Sequence, residues 1–450
     1  MHYFFIGVAG TGMSAIAQYL RAEGHVVAGS DRQFVTGEFN AALNALEAEG
    51  IRCFTQGGGG VSNDVDIVVV STAIEDSVPE VLNAKKLNKN IVKRSELLAS
   101  IALQKKTIAV GGTSGKSTTT AMLYEILYYA GLNPSIISGA GLTRFIREGK
   151  IGNAAYGSGE WLILEADESD GSIVQYHPEI GLLLNVDKDH QEIDTLMNLF
   201  ETFKQHSKSF IVNKSHPLSA SLSAGSTFDF SVSDNSTQTF IAYGFKQEGN
   251  LISFYIENVL FTMNVLGKHN MENALAAISV AFSIGVDIQV SAEALSSYEG
   301  IYRRHQIYGT KNGVTLIDDF AHNPVKCARS IEACQTNSNK LIAWFQPHGY
   351  GPTKFLRKDF VEEIAKVMRT DDEIWMSEIY YAGGTATKDI SANDLIEDLK
   401  KLGVNAFFVE DRNQLVESIR PHFTDNVTIL LMGARDPSLG EFAFGVWRCL

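Results

Sequence analysis

Residues 105–131 read KKTIAVGGTSGKSTTTAMLYEILYYAG: an apolar run, a glycine-rich turn, then a helical pattern closed by glycine. No other stretch limits the fold so strongly. A strand that passes through such a turn into a helix is half of a β-α-β unit, and the sheet it enters is parallel. The turn resembles the phosphate-loop pattern G-x-x-x-x-G-K-[ST]. Gly115, Lys116 and Ser117 match it, while Val110 stands at the first glycine position and Gly111 and Gly112 follow. A phosphate cradle needs consecutive backbone N–H groups without Cβ obstruction at the start of a helix. Gly111, Gly112 and Gly115 give that room. Lys116 can reach the outer phosphates, and the Ser117 hydroxyl suits Mg²⁺. The bland alternative is an ordinary tight turn, which has no use for a Gly-Lys-Ser triplet followed by three threonines.

The same strand-to-helix alternation runs through most of the chain. YFFIGV at 3–8, the helical pattern MSAIAQYLRAEG and the run HVVAGSD form a first β-α-β unit, followed by DIVVVS at 66–71 and NIVKRS at 90–95. WLILEAD and IGLLLNVD read as buried parallel strands that end in acidic residues. Residues 227–265 alternate polar and apolar, as antiparallel hairpins do, and HNMENALAAISVAFSIG is a helix. After YRRHQIYG the α/β pattern resumes with GVTLIDDFAHNP, KLIAWFQPHG and TILLMGA. A length of 450 residues fits about three domains at ~150 residues each. We place them at 1–105, 106–300 and 301–450.

Composition narrows the function. The net charge of -14 argues against a nucleic-acid partner, which needs a basic footprint. No apolar run reaches the ~20 residues that cross a bilayer, and the N-terminus reads as a first strand, not a leader. Cys53, Cys327, Cys334 and Cys449 show no C-x-x-C spacing and read as reduced cytoplasmic thiols.

Two acidic clusters lie where a Mg²⁺-nucleotide site needs hard ligands. EADESDGS places Glu165, Asp167, Glu168 and Asp170 after one strand, and NVDKDH places Asp187, Asp189 and His190 after the next. Solvated acidic loops are the competing reading. At the N-terminus, GVAGTGMSA offers Gly7, Gly10 and Gly12 as G-x-x-G-x-G, with Asp31 ending the second strand. Such a turn could hold the diphosphate of a dinucleotide or of a nucleotide-sugar, or no ligand. A dinucleotide-dependent oxidoreductase would use these glycines, but it leaves the phosphate loop without a purpose.

Taken together, GGTSGKSTTT, GVAGTGMSAIA, EADESDGS, GKHNMENALAAISVA, YRRHQ, DDFAHNP and FQPHGY resemble the Mur ligases, which build the peptide of peptidoglycan using ATP. That family's loop, G-T-x-G-K-[ST]-T-[ST], needs no glycine where Val110 stands. The resemblance implies an α/β fold of three domains: a Rossmann-like domain for a UDP-sugar, a central ATPase-type domain with a mostly parallel sheet and an antiparallel subsheet, and a second Rossmann-like domain for the amino acid. It implies an ATP-dependent ligase that joins L-alanine to UDP-N-acetylmuramate through an acyl phosphate, with Mg²⁺, or Mn²⁺ in its place. It assigns ATP to Gly112, Thr113, Ser114, Gly115, Lys116, Ser117 and Thr118, and adenine to Asn270 and Asn273. The metal goes to Ser117, Glu165 and His190. Arg304 and Asp319 join Lys116, Glu165 and His190 in catalysis and close over the nucleotide. The UDP-substrate falls to Gly10, Thr11, Gly12, Met13, Ser14, Asp31, Ser71 and Thr72, and the amino acid to His322, His348 and Tyr350. Monomer and homodimer are both compatible.

The chain departs from the family's alanine-adding branch at several points. Ser114 replaces a His or Asn, Asn323 replaces the second His of AHHP, and PHGYGPT at 347–353 replaces PHRYTRT. The last change removes two arginines that could hold the amino acid's carboxylate or part of the nucleotide substrate, and Lys354 and Arg357 could substitute for them. Lys204 lies near the spacing of a lysine that some Mur ligases carbamylate, and otherwise reads as a solvated helix lysine. These departures keep two alternatives open: a murein-tripeptide recycling ligase, and a nucleotide-binding homologue without ligase activity.

Overall fold

The computed structural model describes residues 1–35, 37, 40–57, 59–187, 191–232, 240–336, 338–381 and 387–450. His190 and Asp189 lie outside these residues.

The first sheet is all parallel, in the spatial order Arg52–Thr55, Val26–Asp31, His2–Ile6, Ile67–Val70 and Asn90–Lys93. Phe4, Phe5 and Ile6 are fully buried because helices cover both faces. Strand order reverses at His2–Ile6. In a doubly wound sheet the crevice beyond the carboxyl ends at such a reversal is where ligands bind. Here it brings Gly7–Gly12 beside Ser71–Ile74, and an added Cβ on Gly7 would touch Ile74 at 3.5 Å.

The second sheet runs Ser209–Val212, Ile180–Leu183, Lys106–Gly111, Trp161–Glu165, Ser135–Ile137 and Ala154–Ala155, parallel except for its last pair. A third sheet of four strands, Phe230–Ser231, Phe240–Glu248, Leu251–Ile256 and Val259–Met263, provides the smaller subsheet; its first pair is parallel, unlike the antiparallel hairpins expected over 227–265. The fourth runs Gln306–Lys311, Val314–Asp319, Val427–Gly433, Lys340–Gln346, Glu373–Met376 and Ala406–Phe408, with only its first strand antiparallel.

The chain forms three α/β domains, and the first two share one compact unit. That unit comprises Met1–Phe245, Ser253–Asn264 and His269–Tyr302, and the other comprises Lys246–Ile252, Val265–Lys268 and Arg303–Leu450. The reason is a common core. Phe5, Ile16 and Leu20 of the first domain belong to the same buried cluster as Ile137, Leu164 and Phe203 of the second. A polar tie adds to it. Fully buried Asn153 donates to the Thr11 carbonyl (2.8 Å) and Ser14 Oγ (3.1 Å), and accepts from Gln18 Nε2 at 2.7 Å. No helix among the described residues is long and apolar enough to cross a membrane.

Candidate active site

The strand Lys106–Gly111 delivers the phosphate loop to the carboxyl edge of its sheet. The helix Lys116–Tyr129 follows, with Gly115 as its N-cap. Register fixes the loop's neighbours: Val110 pairs with Glu165 on one side and Gly111 with Leu183 on the other. Glu165 and the segment after Leu183 therefore flank the turn.

Two glycines are required by geometry. Gly112 and Gly115 have φ of +136° and +84°, a region disfavoured for residues with a Cβ. A Cβ on Gly115 would also overlap Asn273 Oδ1. Asn273 is thereby packed on the loop, and its Nδ2 donates to Asn270 Oδ1 at 3.3 Å. Both expected adenine residues thus come to the start of the phosphate-loop helix.

Asn185, which the sequence reading did not single out, latches the loop. Its Oδ1 accepts from Thr113 Oγ1 (2.9 Å) and the Ser114 N–H (2.8 Å), and its Nδ2 donates to the Ser114 carbonyl at 3.0 Å. The Thr113 N–H donates to the Asn185 carbonyl at 3.2 Å. Thr113 and Ser114 are thus committed to shaping the turn. The N–H groups at the start of the helix, Gly115 to Thr118, have no intrahelical acceptor, which is the arrangement a phosphate cradle needs. Ser114 occupies the position where the family carries His or Asn, and here its main chain carries the latch.

Lys116 Nζ donates to Glu168 Oε2 (2.7 Å) and the Gly112 carbonyl (2.8 Å), with Asp167 at 3.8 Å. Burial alone would lower its pKa. The carboxylates of Glu168, Asp167 and Glu165 outweigh that and raise it, so the ammonium stays charged. Glu165 accepts from the Gly139 N–H (2.6 Å) and Ser138 Oγ (3.1 Å). Ser117 is buried at the helix start. A hydroxyl and a carboxylate oxygen are hard donors that suit Mg²⁺, so Ser117 and Glu165 fit a divalent cation. The described residues contain no cluster of three His, Cys, Asp or Glu that could hold one, and His190 lies outside them. Lys204, on the helix Ile193–His206, has its ammonium 3.4 Å from Glu201, the common i,i+3 pairing of a helix lysine.

The expected sugar-site residues divide into two groups. Gly10 and Thr11 are exposed and Gly12 half-buried at the start of the helix Thr11–Ala22. Ser71 and Thr72 follow the neighbouring strand. Met13 and Ser14 are buried, and both donate their N–H to the Gly10 carbonyl. They support the loop from behind. Asp31 is buried too; its carboxylate accepts from the Ala9 N–H (2.9 Å) and the Gln33 N–H (3.0 Å). It braces the glycine turn from the end of its strand.

In the second unit, the strand Val314–Asp319 ends in two aspartates with separate roles. Buried Arg303 holds Asp318 with two hydrogen bonds (2.9 and 3.3 Å) and donates to the Gly433 carbonyl at 2.9 Å. Asp319 accepts from the His305 N–H at 3.0 Å. Arg304 lies over the Phe320 ring, 4.6 Å from its centroid. The YRR motif therefore supplies one structural arginine and one half-exposed arginine. Lys354 and Arg357, the substitutes for the missing arginines, are engaged with Asp389 (2.5 Å) and Asp398 (2.7 Å).

His322 and His348 do come together, with ring centroids 5.8 Å apart. Tyr350, nearly buried, opens the helix Tyr350–Val367 just beyond. His322 Nδ1 donates to the Phe320 carbonyl at 2.9 Å, leaving Nε2 as an acceptor. Burial, with Lys326, His348 and Arg304 nearby, pulls the His322 pKa down to about 4 from 6.5. The unfolded chain then binds the proton more readily, so stability is lost as pH falls from 6.5 towards 4. Between pH 7 and about pH 4.5, the wild type is expected to lose about 2 kcal/mol more than His322→Gln. Urea melts at the two pH values measure this; equal losses would show that His322 titrates normally.

Comparison with known proteins fits this geometry. The family descriptions "Mur ligase family, catalytic domain", "Mur ligase middle domain" and "Mur ligase, glutamate ligase domain" match residues 2–106, 110–281 and 303–435. The UDP-N-acetylmuramate–L-alanine ligase of Carboxydothermus hydrogenoformans is 32% identical over 449 residues, covering 96% of this chain and 93% of that protein. The protein of the same name from Synechococcus sp. is 33% identical over 460 residues, with 96% and 93% covered. Among solved structures, the UDP-N-acetylmuramate–alanine ligase of Thermotoga maritima matches with a TM-score of 0.82 at 25% identity, covering 100% of both chains. A murein peptide ligase of Psychrobacter arcticus shares the fold, with a TM-score of 0.67 at 21% identity, over 100% of this chain and 98% of that one. With its domains matched in order and relatives aligned over nearly its whole length, the chain belongs to the Mur ligase family.

Proposed function

We propose that this ATP-dependent ligase joins L-alanine to the carboxylate of UDP-N-acetylmuramate. The observation that carries the reading is the full-length match to ligases of that name, on a chain whose phosphate loop is intact. The murein peptide ligase is the weaker match in fold, with a TM-score of 0.67 against 0.82.

In this reading residues 1–105 hold the UDP-sugar, 106–300 hold ATP and Mg²⁺, and 301–450 receive the amino acid. A carboxylate oxygen of the sugar substrate attacks the γ-phosphorus and ADP leaves, giving an acyl phosphate. The ammonium of alanine first loses a proton to solvent; the free amine attacks the acyl carbon, and the adduct passes a second proton to the phosphate that departs as the amide forms. The protein contributes position and charge more than covalent help. The N–H groups at the start of the helix Lys116–Tyr129 hold phosphate oxygens. Lys116, kept cationic by Glu168, follows the charge on the transferring phosphoryl group. A divalent cation bound through Ser117 and Glu165 would neutralise the rest. His322, neutral at pH 7, offers Nε2 to the ammonium of the incoming amino acid.

The test is phosphate release with ATP, Mg²⁺ and UDP-N-acetylmuramate, adding L-alanine, glycine, L-serine or the murein tripeptide in turn. Release that depends on L-alanine is expected. Release with the tripeptide alone would instead make the chain a recycling ligase, and ATP binding without release would mean a homologue that has lost the reaction.

A further inference from the structure

The third glycine of the N-terminal turn is not there for its backbone. Gly12 is absent from the positive-φ residues of the chain, so an L side chain could adopt its conformation. What would crowd one is a neighbour. An added Cβ would lie 3.0 Å from Arg94 Nη1, 3.2 Å from its Cδ and 3.4 Å from its Cζ. Arg94 opens the helix Arg94–Ala102 directly after the strand Asn90–Lys93. It rises from the same carboxyl edge as the glycine turn, and its guanidinium packs on the first turn of the helix Thr11–Ala22.

This guanidinium is under-used by the protein. Nη2 donates to Asp170 Oδ2 at 2.9 Å, and Asp170 is the only acceptor it meets among the described residues. The rest of its five N–H donors have no protein partner there. The pair is three-quarters buried, with side chains 22% and 26% exposed. A desolvated guanidinium with spare donors, seated on a helix start, binds oxyanions strongly and often with two parallel hydrogen bonds.

We propose that Arg94 binds an oxyanion of the UDP-sugar substrate, with Gly12 kept small to admit its guanidinium. The inference rests on the proposed function. Two groups of that substrate carry the right chemistry: the diphosphate and the lactyl carboxylate.

The experiment is calorimetry of UDP-N-acetylmuramate and UDP-N-acetylglucosamine binding to wild type, Arg94→Ala, Arg94→Lys and Asp170→Asn, with ATP binding as the control. Arg94→Ala is expected to weaken UDP-N-acetylmuramate by about ten- to a hundredfold, the worth of a charge-assisted contact. Arg94→Lys should recover part of this, and ATP affinity should hold. A parallel loss for UDP-N-acetylglucosamine, which lacks the lactyl group, assigns Arg94 to the diphosphate; a loss confined to UDP-N-acetylmuramate assigns it to the carboxylate. Asp170→Asn should leave affinity within about threefold. If Asp170→Asn weakens binding as much as Arg94→Ala does, the pair is only a structural latch and the inference fails. It fails equally if Arg94→Ala binds both sugars like wild type. Wild-type protein that binds neither sugar overturns the proposed function, and this inference with it.

Discussion

Lys116→Ala is expected to lower turnover by about 10²–10³-fold, the usual effect of removing one preorganised charge from a transition state. The substitution has a second effect that must be separated from the first. Glu168 is 4% exposed and has Lys116 as its ion partner. Without that partner, a buried carboxylate costs about 3–5 kcal/mol or takes up a proton. Lys116→Ala alone is therefore expected to be destabilised as well as slow. The double variant Lys116→Ala/Glu168→Gln removes the stranded charge. It should regain most of the stability in a urea melt and none of the turnover in a phosphate-release assay. Recovery of both would mean that the lysine serves the fold and not the phosphoryl group.

Gly115→Ala is the second large effect. The residue adopts φ +84°, which costs an L side chain about 1–2 kcal/mol. Its new Cβ would also overlap Asn273 Oδ1 and stand 3.3 Å from Cγ of the same residue. Relieving the overlap must move either the loop N–H groups or the asparagine expected to meet adenine. Displacing a reacting group by ~1 Å can cost about 100-fold, so ATP affinity or turnover should fall by about that factor. Gly131→Ala is the control: φ is +76° but nothing lies within 4 Å of the added Cβ. It should lose stability and keep its affinity for ATP. Equal ATP affinities for the two variants would show that backbone strain alone explains the glycine at 115.

How far the sequence could be read depended on whether a residue's partner was near in the chain. The strand, turn and helix at 106–129 were legible because hydrophobic period, glycine placement and the Gly-Lys-Ser triplet are all local. Asn185 was not. Its partners Thr113 and Ser114 lie more than 70 residues away, and only the pairing of Gly111 with Leu183 brings them together. The acidic residues nearby drew attention because charge at a strand end is conspicuous, whereas an asparagine has many other uses. The same limit applied at Arg303 and Arg304. Adjacent arginines look alike in sequence, and only burial beside Asp318 shows which is structural. The bond from the Ala9 N–H to Asp31 is invisible without the turn's shape. Arg94 carried no motif at all.

The hydrogen bonds of Asn153 reach back 135 residues to Gln18 and 142 to the Thr11 carbonyl. Closing a loop of that length carries an entropic cost that local contacts do not. A nascent chain that has emerged only as far as residue 105 has the first five strands, with Asp31 and Arg94 beside the turn, but lacks the Asn153 bonds to the start of its leading helix. That part of the support of the glycine turn is added only when the second domain has been synthesised and folded against the first. An isolated N-terminal fragment would lack the buried Asn153 tie and the shared core, so the two domains are better studied together.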